Sequence, residues 1–232
     1  MGSDNFTGTT NSGTTDGTGS QVDTKPVVSI DDEVQSGMGR TGEWFACEHE
    51  GIIPDIVVMG KGLSAGYAPI SAVVGRADVI NSLNTASQVF TYMGHSPSTA
   101  AASKVIDIIE SEDIIKNVAI VGAHLYKGLN EIANKYPENI IEVRGKGLMI
   151  AIDIDISKDP LAAKIFAYRC VEKGIYFGYL GNKIIRVLPP LNISEKESDI
   201  IIKVVDEVVE EMHNGNIPGS TVEKVKKYTL GW

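Results

Sequence analysis

The chain has 232 residues, 43% hydrophobic and 22% charged, a composition that supports one or two folded domains with a real core. Its 21 Lys and Arg against 30 Asp and Glu leave a net charge of −9, which argues against a general nucleic-acid binder needing a basic face for phosphates. No apolar run approaches the ~20 residues that span a bilayer, no secretory leader is expected from the first residues, and two distant cysteines, Cys47 and Cys170, fit neither a disulfide framework nor a four-ligand zinc site, so a cytoplasmic setting is expected.

Residues 1–25 are almost all Gly, Thr, Ser, Asn and Asp. They cannot bury enough apolar surface to offset the entropy of ordering, and read as a low-complexity tail or linker. From Pro26 the pattern changes. Val27 to Ile30, Asp55 to Gly60 and Ile70 to Gly75 are short apolar runs bounded by Gly, Pro or Asp, the pattern of buried strands. GMGRTG at 37–42 reads as a loop. Residues 97–110, mostly small or apolar, predict a buried helix. Ser111 is placed to cap the next helix, in which Ile114, Val118, Val121, Leu125, Leu129 and Ile132 form one apolar stripe before Pro137.

Residues 139–156 predict one or two strands broken at Gly145-Lys146-Gly147, and the Ile–Asp alternation at 152–156 has strand period. Asp159-Pro160 and Gly174 bracket a further helix. Residues 175–180 and 183–188 read as strands around Gly181-Asn182. Ser194 and Glu197 form a capping box for the last long helix, which runs to about His213. The tail, 214–232, has no clear pattern. The architecture expected is α/β: residues 26–110 form part of a mainly parallel sheet layer, and 111–213 form a smaller α+β unit. A parallel sheet of about three strands is too thin to stand alone, so further strands are expected from outside this sequence.

Lys61 stands out first. It follows an apolar strand and sits in Gly60-Lys61-Gly62-Leu63-Ser64-Ala65-Gly66, where small residues leave room for a bulky group. A desolvated lysine is a good nucleophile and forms Schiff bases; the competing reading is a surface lysine in a Gly-rich turn. A phosphate loop is excluded, because it needs Gly, four residues, then Gly-Lys-Ser/Thr, and Gly62 follows Gly60-Lys61 with Asp at 55. Asp32 lies where a strand ends, a common ligand position in α/β sheets. It suits a protonated heterocyclic nitrogen, or is simply part of a solvated acidic loop. Arg186 lies in an apolar strand and needs an anion, either a substrate carboxylate or an internal salt-bridge partner. Cys47-Glu48-His49-Glu50 lacks the helical spacing of a metal site.

Residues 30–76, IDDEVQSGMGRTGEWFACEHEGIIPDIVVMGKGLSAGYAPISAVVGR, resemble the core signature of the class III pyridoxal-phosphate-dependent aminotransferases, a family with ornithine, 4-aminobutyrate and other omega-amino-acid aminotransferases and some racemases. The resemblance continues through FTYMGHSPSTAAAS (90–103), VRGKGLMIAIDI (143–154) and IRVLPPLNIS (185–194). It implies the C-terminal half of a fold-type-I transferase: a remnant of the large parallel-sheet domain plus a small C-terminal domain. By this resemblance Lys61 is the lysine that forms a Schiff base with pyridoxal phosphate, and Asp32 pairs with its pyridine nitrogen. Gln35 lies near its phenolic oxygen. Thr91 binds its phosphate, usually across a homodimer interface. Arg186 receives a substrate carboxylate.

The implied reaction transfers an amino group from an amino acid or amine to a 2-oxo acid. The same lysine and cofactor also serve racemases, so that alternative stays open. So does a third, an inactive or partner-dependent half, because the phosphate-binding turn and helix of the family's N-terminal half are not recognisable here.

Overall fold

The computed structural model describes residues 28–82 and 90–229; the tail expected over 1–25 lies outside the described residues. Among the described residues, two sheets carry the fold. The first has three strands in the order β1 (Ile30–Asp32), β2 (Ile56–Met59) and β3 (Ala72–Gly75). β1 and β2 are parallel, with Asp32 opposite Val58. A parallel pair needs a long crossover, here residues 33–55, which include a 3-10 turn at Ala46–Glu50. β2 and β3 are antiparallel, so the layer is mixed where a mainly parallel one was expected. The link between β2 and β3, residues 60–71, holds a 3-10 turn at Lys61–Ser64 rather than a crossover α-helix. β1 also begins later than expected and takes Asp31 and Asp32 into the strand, which their pairing with Val57 and Val58 makes possible.

The second sheet is antiparallel throughout, in the order β4 (Ile140–Lys146), β5 (Met149–Ile154), β7 (Ile184–Val187), β6 (Gly178–Leu180). Ile150, Ile152, Ile154, Ile185 and Val187 are buried, as strand alternation requires when one face meets the core. Two helices pack on this sheet: α3 (Ile114–Lys135) on β4, and α4 (Ala162–Glu172) on β6 and β7. α5 (Glu195–His213) packs on both helices. The apolar stripe of α3 is buried as its spacing demands. Ser194 and Glu197 make the reciprocal capping box of α5, and Gly174 follows α4 at φ +91°.

Three local expectations are corrected. Ser111 is not a cap: it is the last residue of α2 (Ser96–Ser111), and its hydroxyl bonds back to Ile108 O. A hydroxyl turned into its own helix cannot serve the next one. α2 itself is not buried all round; only Ser98, Ala102 and Ile109 are, because one side alone meets residues 61–64 and α3. The tail contains a further helix, α6 (Gly219–Thr229); the four-residue α1 is Ala77–Ile80. α6 packs on α4, where Thr221 Oγ1 donates to Glu172 at 2.7 Å and buried Val225 adds apolar contact. No helix among the described residues is long and apolar enough to cross a membrane.

Candidate active site

Asp32 and Lys61 emerge at the same end of the first sheet, where the parallel strands β1 and β2 finish. Open crevices at such strand ends are where α/β folds bind ligands. Asp32 is exposed, and its Oδ1 accepts from Val34 N, at 3.1 Å, within its own turn. No cation pairs with it among the described residues. The next residue, Glu33, is 1% exposed and ties down the crossover: Ser36 Oγ donates to it at 2.6 Å and Cys47 N at 2.9 Å.

Lys61 opens a 3-10 turn, Lys61–Ser64, directly after β2. Leu63 and Ser64 are buried in this turn, which packs on α2. Lys61 has φ +43°, a left-handed conformation that costs a non-glycine residue about 1–2 kcal/mol. Such strain persists where the surroundings enforce it, and functional sites are a common setting. The side chain is exposed rather than desolvated within this chain, because β2 is only half-buried along its length. Nζ donates to Gln35 Oε1 at 3.3 Å, so the structure brings Lys61 and Gln35 together and sets Asp32 beside them.

Arg186 lies in the other sheet, on β7, opposite Ala151 of β5 and Gly178 of β6. Cross-strand neighbours supply a strand residue's nearest partners, and here they are the two smallest side chains. The half-buried guanidinium forms no ion pair among the described residues, so the internal salt bridge weighed from sequence does not form there. Thr91 is exposed in the turn before α2. No hydrogen bond among the described residues joins it to Asp32, Gln35 or Lys61. A cleft of ≈ 1130 Å³ adjoins this turn, lined by Ile70, Ala72, Phe90, Tyr92, His95 and Ser98 among others.

Sequence reasoning missed Arg40, inside the loop read only as GMGRTG. Its Nη1 donates to Pro189 O at 2.6 Å and to Leu148 O at 3.3 Å, while Leu148 N donates to Arg40 O at 3.1 Å. Burial pulls its guanidinium below the ordinary arginine range. A long cation flanked by glycines was the available signal. Asp31, Glu33 and Cys47 also cluster, their ligand atoms within 4.8 Å of one another. However, Glu33 is already fully engaged, and burial with the carboxylates of Asp31 and Glu33 pushes the Cys47 thiol up to about 11.

Comparison with known proteins fixes the class. The sequence model of the class III aminotransferases matches residues 20–209, and the chain belongs to that family. It is 36% identical over 206 residues to the leucine/methionine racemase of Thermococcus litoralis, covering 87% of this chain and 45% of that protein. It is 37% identical over 184 residues to ornithine aminotransferase 1 of Staphylococcus saprophyticus, covering 79% and 45%. Among solved structures, ornithine aminotransferase from Toxoplasma gondii superposes with a TM-score of 0.76 at 31% identity, over 81% of this chain and 44% of that one. Acetylornithine aminotransferase from Elizabethkingia anophelis superposes with a TM-score of 0.75 at 31% identity, over 78% and 45%. The chain thus spans about half the length of the curated relatives it matches.

Proposed function

We propose that this chain carries the lysine-bearing half of a pyridoxal-phosphate-dependent aminotransferase site, which moves an amino group from an amino acid or amine to a 2-oxo acid. The observation that carries the reading is the Lys61–Gln35 contact at a strand end, beside a carboxylate that no cation occupies among the described residues. The donor set fits pyridoxal phosphate: a primary amine, an amide and a free carboxylate. When bound, the cofactor supplies a carbonyl for amine exchange and an electron-withdrawing ring.

Each residue then has a task. Asp32, as an anion, holds a proton on the ring nitrogen. Gln35 orients Lys61 Nζ. Lys61, once freed as an amine, carries the α proton as general base and then as general acid. Arg186 takes a substrate carboxylate with its planar fork. Thr91, exposed in its turn, donates to the cofactor phosphate of a partner subunit in a homodimer. Residues 26–110 serve as the cofactor-binding unit and 111–213 as the smaller one. We place the chain in the cytoplasm, on its two unpaired cysteines.

The similarity to the Thermococcus racemase supports a second reading, in which Lys61 returns the proton to the α carbon. One experiment separates the two. The chain is incubated with pyridoxal phosphate, an amino donor and 2-oxoglutarate, beside a Lys61→Ala control. Transamination turns 2-oxoglutarate into glutamate mole for mole with donor lost. Racemisation consumes no 2-oxo acid and inverts the donor. Neither reaction, in a chain that nevertheless folds, would sink both and leave a half that acts only with a partner.

A further inference from the structure

Arg40 stands between the two parts of the proposed site. Its loop begins immediately after Asp32 and includes Gln35, which holds Lys61. Its guanidinium reaches Pro189, three residues beyond Arg186, and Leu148, in the turn that leads into β5. β5 is the strand paired with β7 at Ala151 and Arg186. One nitrogen therefore grips the exit of the Arg186 strand and the entry of its neighbour. The Leu148 N–H returns a bond to the Arg40 carbonyl. The backbones are in close contact as well: a Cβ on Gly147 would lie 2.5 Å from the Thr41 carbonyl carbon.

We infer that Arg40 is a positioning residue, whose hydrogen bonds to Pro189 and Leu148 set the carboxylate-binding strand of Arg186 relative to the Asp32–Gln35–Lys61 cluster. The inference rests on the function proposed above. An arginine that only fills space normally meets a carboxylate when half-buried. Arg40 has none among the described residues, and directs its charge at two carbonyls, with the short distance of a charge-assisted bond to Pro189 O. Its effect on substrate passes through Arg186.

The test measures the dissociation constant for 2-oxoglutarate by calorimetry on the full chain with pyridoxal phosphate, together with Tm and the extent of cofactor adduct at Lys61. Arg40→Met keeps the side chain's length and removes the donors. It is expected to weaken 2-oxoglutarate about tenfold, the loss of one charge-assisted hydrogen bond, and to leave the Lys61 adduct intact. Arg40→Lys, whose ammonium can meet the same carbonyls, recovers most of the affinity. Adding Arg40→Met to Arg186→Gln weakens binding no further than Arg186→Gln alone. If Arg40→Met does not fold, Arg40→Gln, too short to reach both carbonyls, takes its place with the same expectation. Unchanged affinity in Arg40→Met, or full additivity in the double variant, overturns the inference. If wild type does not bind 2-oxoglutarate, or Arg186→Gln binds it as wild type does, the carboxylate role of Arg186 falls and this inference falls with it.

Discussion

Lys61 and Gln35 lie 26 residues apart in sequence and meet across 3.3 Å, the lysine donating to the amide oxygen. That contact joins the end of β2 to the loop leaving β1 and gives the amine a fixed direction. A single hydrogen bond of this kind contributes about 0.5–1.5 kcal/mol, equivalent to about two- to tenfold in rate. Gln35→Leu should therefore slow the reaction of Lys61 with pyridoxal phosphate by that factor, followed as growth of visible absorbance. An unchanged rate would mean that Gln35 does not orient the amine.

Gly147 tests the joint between the two sheets. At φ +54°, with Thr41 C 2.5 Å and Arg40 O 2.9 Å from where a Cβ would sit, alanine suffers both backbone strain and overlap with backbone that cannot retreat. Gly147→Ala should lose about 3 kcal/mol in urea unfolding. Gly51→Ala, at φ +64° with nothing within 4 Å, meets the strain alone and should lose about 1 kcal/mol. Equal losses would show that the close approach has no energetic weight.

The periodic parts of the fold were legible in the sequence. The α3 stripe, the Ser194–Glu197 capping box and the Gly174 stop depend on local spacing and chemistry, and all three stand in the structure. Lys61, Asp32 and Arg186 were legible as candidates because charge at the end of, or within, an apolar run demands a partner. What eluded the sequence is non-local. The direction of β3 depends on pairing with β2, not on its own residues. The left-handed φ of Lys61 lies in a turn that packs on α2, a long-range contact. The reach of Arg40 to Pro189 spans 149 positions, and α6 is held by α4, not by a strong apolar stripe of its own.

Acid should loosen the packing of α4 on α5. Arg169 grips Glu211 with two bonds, at 2.6 and 3.0 Å, and Lys173 reaches it at 3.1 Å. The hydrogen-bonded Arg169 guanidinium holds the Glu211 carboxyl below its ordinary value of 4.5, and Lys173 does the same for Glu207. A carboxyl depressed in the folded state contributes stability in full above its unfolded pKa, and loses it as pH falls through the folded one. The urea midpoint should therefore hold from pH 7 to about 5 and drop below about 4.5. Glu211→Gln should lower the midpoint at neutral pH and flatten the acid limb. An acid limb as steep as wild type would place the sensitivity elsewhere.

Borohydride trapping decides whether Lys61 is the cofactor lysine, as proposed. The chain is mixed with pyridoxal phosphate, its visible absorption recorded, the mixture reduced, and the adduct located by peptide mass. One stoichiometric adduct is expected, confined to Lys61 and absent from Lys61→Ala. A label spread over the exposed lysines, or no visible band in a folded chain, would contradict it.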